Sequence, residues 1–133
     1  MSKRLGNAID PFEMINEYSA DAVRWYMISN SNPWDNLKFD IEGVAEVKRK
    51  FFGTLQNVYS FFSLYANIDN FKYDEDKIDV VKRPELDRWI ISEINSLAKK
   101  VDYNLDNYDL TPAARDINDF VQEKLSNWYV RLS

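Results

Sequence analysis

Ser2, Lys3 and Arg4 set a hydroxyl and two cations side by side, and Gly6-Asn7 follows at once. Glycine and asparagine tolerate positive φ, so a tight turn is expected there. A short basic loop closed by such a turn can bring ammonium, guanidinium and backbone N–H groups to a phosphate. The same residue types also make an ordinary basic terminus. Further along, Lys48-Arg49-Lys50, Lys82-Arg83 and Lys99-Lys100 form basic clusters. Each could position an RNA backbone, or simply solvate a helix face. Trp25, Trp34, Trp89 and Trp128 could stack on unpaired bases. Tryptophans at helical spacing are more often core. Trp128 and the adjacent Tyr129 are the better placed for RNA, because Arg131 follows them near the end of the last expected helix. Trp128 also falls on that helix's apolar stripe, so both roles stand.

Composition limits what other chemistry is possible. The 133 residues include no cysteine and no histidine, which removes disulfides, thiolate metal sites and the commonest general base. No glycine-rich phosphate loop and no catalytic constellation is present. The acidic stretch Asn67 to Lys82 has no calcium-loop spacing and is expected to be a solvated loop, so no metal is expected. No apolar run approaches roughly 20 residues, so no membrane span is expected and the default is a cytoplasmic protein. The net charge of −5 means that any contact with nucleic acid must come from local basic patches.

The elements that must carry these residues read as helices. Only three glycines and four prolines interrupt the chain. Asp10-Pro11-Phe12-Glu13 is a helix start, with a short helix expected from Pro11 to about Tyr18. Ser19 should cap a second, near Ala20 to Ser29, with Ala22, Val23, Tyr26 and Met27 on one face and Arg24 and Trp25 off it. Asn30-Ser31-Asn32-Pro33 should stop it. Trp34, Leu37 and Phe39 should anchor a connector. Asp40 is the next cap. Ile41, Val44, Val47, Phe51, Leu55, Val58, Phe62 and Tyr65 then recur at helical steps, predicting a helix from Ile41 to about Ala66, roughly 40 Å long. Arg83-Pro84-Glu85 should open a helix with Leu86, Ile90, Ile94, Leu97, Val101 and Leu105 on its stripe, fading near Asn107. Thr111 should cap the last one, with Ala114, Ile117, Val121, Leu125 and Trp128 inward. Helical spacing suggests charge groupings such as Glu42 with Glu46 and Lys50, and Glu93 with Lys100 a few turns away. The expectation is an all-α, up-down helical bundle with one groove left open, for a fourth helix or another chain.

Beyond these physical readings, Met1-Ser2-Lys3-Arg4-Leu5-Gly6-Asn7 resembles the end of the Lys-Met-Ser-Lys-Ser signature of class I aminoacyl-tRNA synthetases. Lys3 matches its second lysine, Arg4 stands where the signature often has its last serine, and the first lysine would precede Met1. "SADAVRWYMISN" resembles the helix that follows the signature, with Ser19 in place of the usual glycine. "PWDNLKFD", "RKFFGTLQNVYSFF", "RPELDRWI", "DLTPAARDINDFV" and "NWYVR" are similar to isoleucyl-tRNA synthetases, and parts of them also to the valyl enzymes.

The resemblance implies a segment cut at both ends from a longer synthetase. Residues 1–10 would be a remnant of the signature loop, 11–38 a stem-contact segment and connector, and 39–133 the first part of the helical anticodon-binding domain. It implies ATP as a substrate of the parent enzyme, held at its phosphates by Ser2, Lys3 and Arg4, with Lys3 catalytic. It implies tRNA(Ile) as partner, with Lys48, Arg49, Trp128 and Arg131 as candidate contacts, and no catalysis by the segment alone. A reading from another class also fits the acidic charge: a helical module that binds a partner helix in its open groove.

Overall fold

A computed structural model of the chain describes residues 9–74 and 76–133. Helix α1 (Pro11–Tyr18) starts where Asp10 accepts a hydrogen bond from the Phe12 N–H at 2.8 Å, with Pro11 in the first turn. Helix α2 (Ala20–Asn30) follows after the single residue Ser19. That residue closes α1 by donating its N–H to the Ile15 carbonyl and opens α2 by accepting from the Ala22 N–H. The double duty requires φ 82° and ψ 152°, a region that glycine occupies far more readily than serine.

Residues 41–68 form one continuous rod. It is α-helical over Ile41–Glu46 (α3), widens to π turns over Val47–Phe52, and is α-helical again over Gly53–Ile68 (α4). At about 1.5 Å per residue the rod is roughly 42 Å long. Its start is capped by Asp40, which accepts from the Glu42 N–H at 3.2 Å. After a loop with a single short turn at Val80–Lys82, α5 (Glu85–Asp106) runs on, with Glu85 and Asp87 favourably placed against its N-terminal dipole. Helix α6 (Leu110–Asp119) continues without a break into π turns over Phe120–Val130. The described residues contain no strand, and their rods pack as the expected helical bundle.

Two apolar clusters hold the rods together. Ala22, Tyr26 and Val44 form the first, joining α2 to α3, with Leu37 and Phe39 of the connector packed against it. Phe51, Ile90, Phe120 and Val121 form the second, where the two π stretches and α5 meet. Phe52 touches both. Trp25 lies flat on Phe51, ring centroids 4.3 Å apart and 5° from parallel, so it belongs to the core and not off the stripe. The π turns rotate the side chains after Val47 relative to an α-helix, which a 3.6-residue count does not anticipate.

Other expectations are corrected. Trp34 is exposed and does not anchor the connector, leaving that to Leu37 and Phe39. Met27 is half exposed, as are Ile94 and Leu105. Leu55, Phe62 and Tyr65 are exposed because the described residues flank the outer part of the rod along one side only. Thr111 lies one residue inside α6, and Asp109 holds the cap position without a side-chain bond. The Thr111 hydroxyl instead donates to the Ser31 carbonyl at 3.0 Å.

Candidate nucleic-acid interface

The basic loop Ser2, Lys3 and Arg4 lies outside the described residues. The other candidate residues can be followed one by one. The π stretch Val47–Phe52 projects Lys48, Arg49 and Lys50 outward while turning Phe51 into the core. Lys48 is engaged: its Nζ donates to the Glu17 carbonyl at 2.8 Å and stands 5.7 Å from the centre of the Tyr18 ring. It ties the rod to the end of α1. Lys50 pairs with Glu46 one turn earlier, and its ammonium holds the Glu46 carboxyl below the usual carboxylate range. Arg49 is exposed and forms no ion pair among the described residues. Its guanidinium fork is open to a phosphate, whereas the ammonium groups of Lys48 and Lys50 are engaged.

The remaining clusters are divided in the same way. Lys100 bonds Asp116 of α6 at 2.7 Å, and Lys124 pairs with Glu93, so Glu93 reaches across to the last rod and not along α5 to Lys100. Lys82 and Lys99 are exposed. Arg83 is half-buried, and its Nε has no hydrogen-bond partner among the described residues. It lies near the Tyr129 hydroxyl, which donates to Asp87 at 2.9 Å.

Trp128 is 59 % exposed, which removes it from the core and leaves its ring available for stacking. The reason is geometric: the rod is π-helical from Phe120 onward, so an α-helical stripe drawn from Ile117 through Leu125 no longer ends at Trp128. The ring lines an open hollow of about 700 Å³ with Leu86 and Trp89 of α5, Glu85 at its rim and Leu132 at its end. Arg131 stands three residues further along the rod, exposed and outside the lining. Thus the structure groups Trp128 with Trp89, and it does not bring Lys48 or Arg49 into that hollow. The pairing of Trp89 with Trp128 was not singled out from the sequence. It could have been, because each tryptophan sits at one end of an expected helix in an up-down bundle.

An apolar hollow with two indoles and a nearby arginine can stack planar rings and contact a phosphate. No group of three or more metal-ligating acids occurs among the described residues. No described helix is long and apolar enough to cross a membrane.

Comparison with known proteins finds a different family at each end of the chain. Residues 1–40 match the family "tRNA synthetases class I (I, L, M and V)", and residues 87–133 match the family "Anticodon-binding domain of tRNA ligase". The chain is 65 % identical over all 133 residues to isoleucine–tRNA ligase of Porphyromonas gingivalis, covering 12 % of that protein. It is 61 % identical over 133 residues to the same enzyme of Bacteroides fragilis, again 12 % of its length. The enzyme of Clostridium acetobutylicum is 50 % identical over 131 residues, 98 % of the chain and 12 % of the relative.

Proposed function

We propose that the chain is a segment of an isoleucine–tRNA ligase, the one through which such an enzyme joins its ATP-binding loop to its tRNA-binding bundle. The observation that carries this reading is similarity along the whole chain, with a synthetase match at one end and an anticodon-binding match at the other. Residues 1–10 end the signature loop, 11–38 form the stem-contact segment, and 39–133 begin the anticodon-binding bundle. In the parent enzyme isoleucine and ATP give isoleucyl-adenylate and pyrophosphate, and the isoleucyl group then passes to a hydroxyl of tRNA(Ile) with release of AMP. Lys3 places its ammonium where negative charge develops on the ATP phosphates, with Ser2 and Arg4 beside it. The segment alone, spanning an eighth of its relatives, does not form the adenylate.

Lys3→Ala in the full-length enzyme should slow isoleucine-dependent pyrophosphate exchange on the order of a hundredfold, as loss of a preorganised electrostatic contact does. An unchanged rate would overturn the role of the loop. On the RNA side, Trp128 stacks on an unpaired base, and Arg49 and Arg131 meet phosphates. Trp128→Ala should weaken tRNA binding by about 1–3 kcal/mol and leave the salt dependence alone. Arg131→Ala should weaken all tRNAs alike and lower the salt slope by about one. The Lys48 ammonium donates to the Glu17 carbonyl, so its removal should disturb the α1 contact as well as any phosphate contact.

The exposed apolar face of α4 favours a second reading, a module that takes a partner helix into its open groove. Salt-dependent binding to tRNA(Ile), measured against an unrelated RNA, separates the two: indifference to RNA would favour the module.

A further inference from the structure

Three successive backbone carbonyls at the end of α2 are held by side chains from one face of α6. Arg115 Nε donates to the Ser29 carbonyl at 2.8 Å, and its Nη2 donates to the Asn30 carbonyl at 2.9 Å. Thr111, one turn earlier and almost fully buried, donates its hydroxyl to the Ser31 carbonyl at 3.0 Å. The last carbonyls of a helix have no partners within it and carry the negative end of its dipole. Helix α2 has no basic residue in its own last turn, so α6 supplies the cation from more than eighty residues away.

The grip is reinforced from below. Tyr26, buried one turn before the clamped carbonyls, accepts hydrogen bonds on its hydroxyl from Asn30 Nδ2 at 3.2 Å and the Asp40 N–H at 3.1 Å, and donates to the Lys38 carbonyl at 3.4 Å. Its ring lies against Gly43, where an added Cβ would collide with it. Asn30 is therefore fixed twice, by its carbonyl to Arg115 and by its amide to Tyr26. The clamped residues 29–31 fall within the part that matches class I synthetases, and Thr111 and Arg115 fall within the part that matches anticodon-binding domains. These bonds run directly from one part to the other.

We propose that Arg115 is a positioning residue for tRNA charging: with Thr111 it locks the end of α2 against α6, and so sets the angle at which the anticodon-binding bundle presents tRNA to the rest of the enzyme. The inference rests on the proposed function above. A guanidinium suits this role because its rigid fork reaches two adjacent carbonyls at once, which an ammonium cannot do in one plane. The bonds lie at the surface, so orientation and folding stability can be separated. Adenylate formation needs no tRNA and should not depend on the clamp, whereas transfer to tRNA should.

The test uses the full-length ligase carrying this segment, with isoleucine-dependent pyrophosphate exchange, tRNA(Ile) charging and melting temperature measured side by side. Arg115→Ala should leave exchange within about twofold of wild type and lower kcat/KM for tRNA by about tenfold or more. Arg115→Lys should recover part of that loss, and it replaces the alanine variant if that one does not fold. Thr111→Val, which removes one donor at nearly constant volume, should shift charging in the same direction by less. Unchanged charging in Arg115→Ala would overturn the proposal. So would a parallel fall of exchange, charging and melting temperature, which would make Arg115 merely structural. A wild-type ligase without isoleucine-dependent exchange would overturn the proposed function, and this inference with it, before any variant is made.

Discussion

The rod over residues 41–68 carries apolar residues along its whole length, yet its two ends differ. At the inner end Val44 is 0 % and Phe51 4 % exposed. In α4, at the outer end, no residue is buried: Phe61 is 47 %, Phe62 and Leu64 56 %, and Ile68 64 % exposed. The side chains are of the same types at the same steps. What differs is company: α2 and the π-helical end of the last rod flank the inner part, while the outer part meets that rod along one side only. Periodicity thus tells which side of a helix is apolar. Whether that side is covered depends on partners brought together by the rest of the fold.

The widest test of this difference is Phe51→Ala. It would empty the centre of the second cluster and remove the ring on which Trp25 is stacked. A loss of about 3–5 kcal/mol is expected. Urea unfolding monitored by tryptophan fluorescence would measure it. A cost below about 1 kcal/mol, the level of an ordinary surface change, would mean that the inner end is no better packed than the outer.

Tyr129 stands at the boundary between the two ends, half-buried beside Leu125 and lining the groove against α4. Burial, then the hydrogen bond to Asp87, raises its phenol pKa above the usual value of 10.0. The folded state therefore holds this proton more tightly than the unfolded state does. The stabilisation is complete below the unfolded pKa near 10 and is lost as pH rises through the raised folded value. Tyr129→Phe should cost about 1 kcal/mol at pH 7 for the lost hydrogen bond, and should flatten the fall of stability above pH 10. Alkaline melting curves that coincide in shape with wild type would show that Tyr129 does not titrate with folding.

Helix existence was legible because the starts are local: Asp10-Pro11, Ser19 and Asp40 all act where their types indicate. The resemblance of "NWYVR" and "RPELDRWI" to isoleucyl synthetases was legible for the same reason, since contiguous runs need no folding to be read. Trp25 and Trp128 were misjudged in opposite senses, one core and one exposed. The inward place given to Trp128 came from extending a 3.6-residue count through a π-helical segment, whereas Trp25 lies on the α-helical α2 and is covered by Phe51 of the neighbouring rod, a partner that spacing along α2 does not show. Arg115 was invisible because its partners are backbone carbonyls, which carry no sequence signal.

Ser19 sharpens the comparison from the backbone side. At the covered end, a serine sits at φ 82° and ψ 152° because α1 and α2 are both held in place around it. Beyond the outer end, Asn70 takes φ 49°, a left-handed conformation that asparagine adopts readily. Strain of about 1–3 kcal/mol is thus stored at Ser19. Ser19→Gly releases it, loses a few tenths for the cap and about 0.4–1 kcal/mol to the freer unfolded chain. A net gain of roughly 0.5–1 kcal/mol is expected from these terms. A destabilised Ser19→Gly would mean that the hydroxyl bond to Ala22 outweighs the strain.

The smallest effect is expected at Leu64, and it is the one that most directly opposes Phe51. Leu64 is 56 % exposed on α4, lies in neither apolar cluster and lines neither groove along that helix. Leucine and glutamine are similarly good helix formers, so Leu64→Gln leaves the backbone preference nearly unchanged. The side chain gives up little buried area because it has little to lose. Unfolding of the 133-residue chain should change by no more than about 0.5 kcal/mol. The substitution also removes one of the exposed apolar groups along α4, so self-association at high concentration should fall. Sedimentation and urea unfolding on the same sample check both halves. A loss of 2 kcal/mol or more, of the order of a core truncation, would show that α4 is covered in solution, and the contrast between the two ends of the rod would disappear.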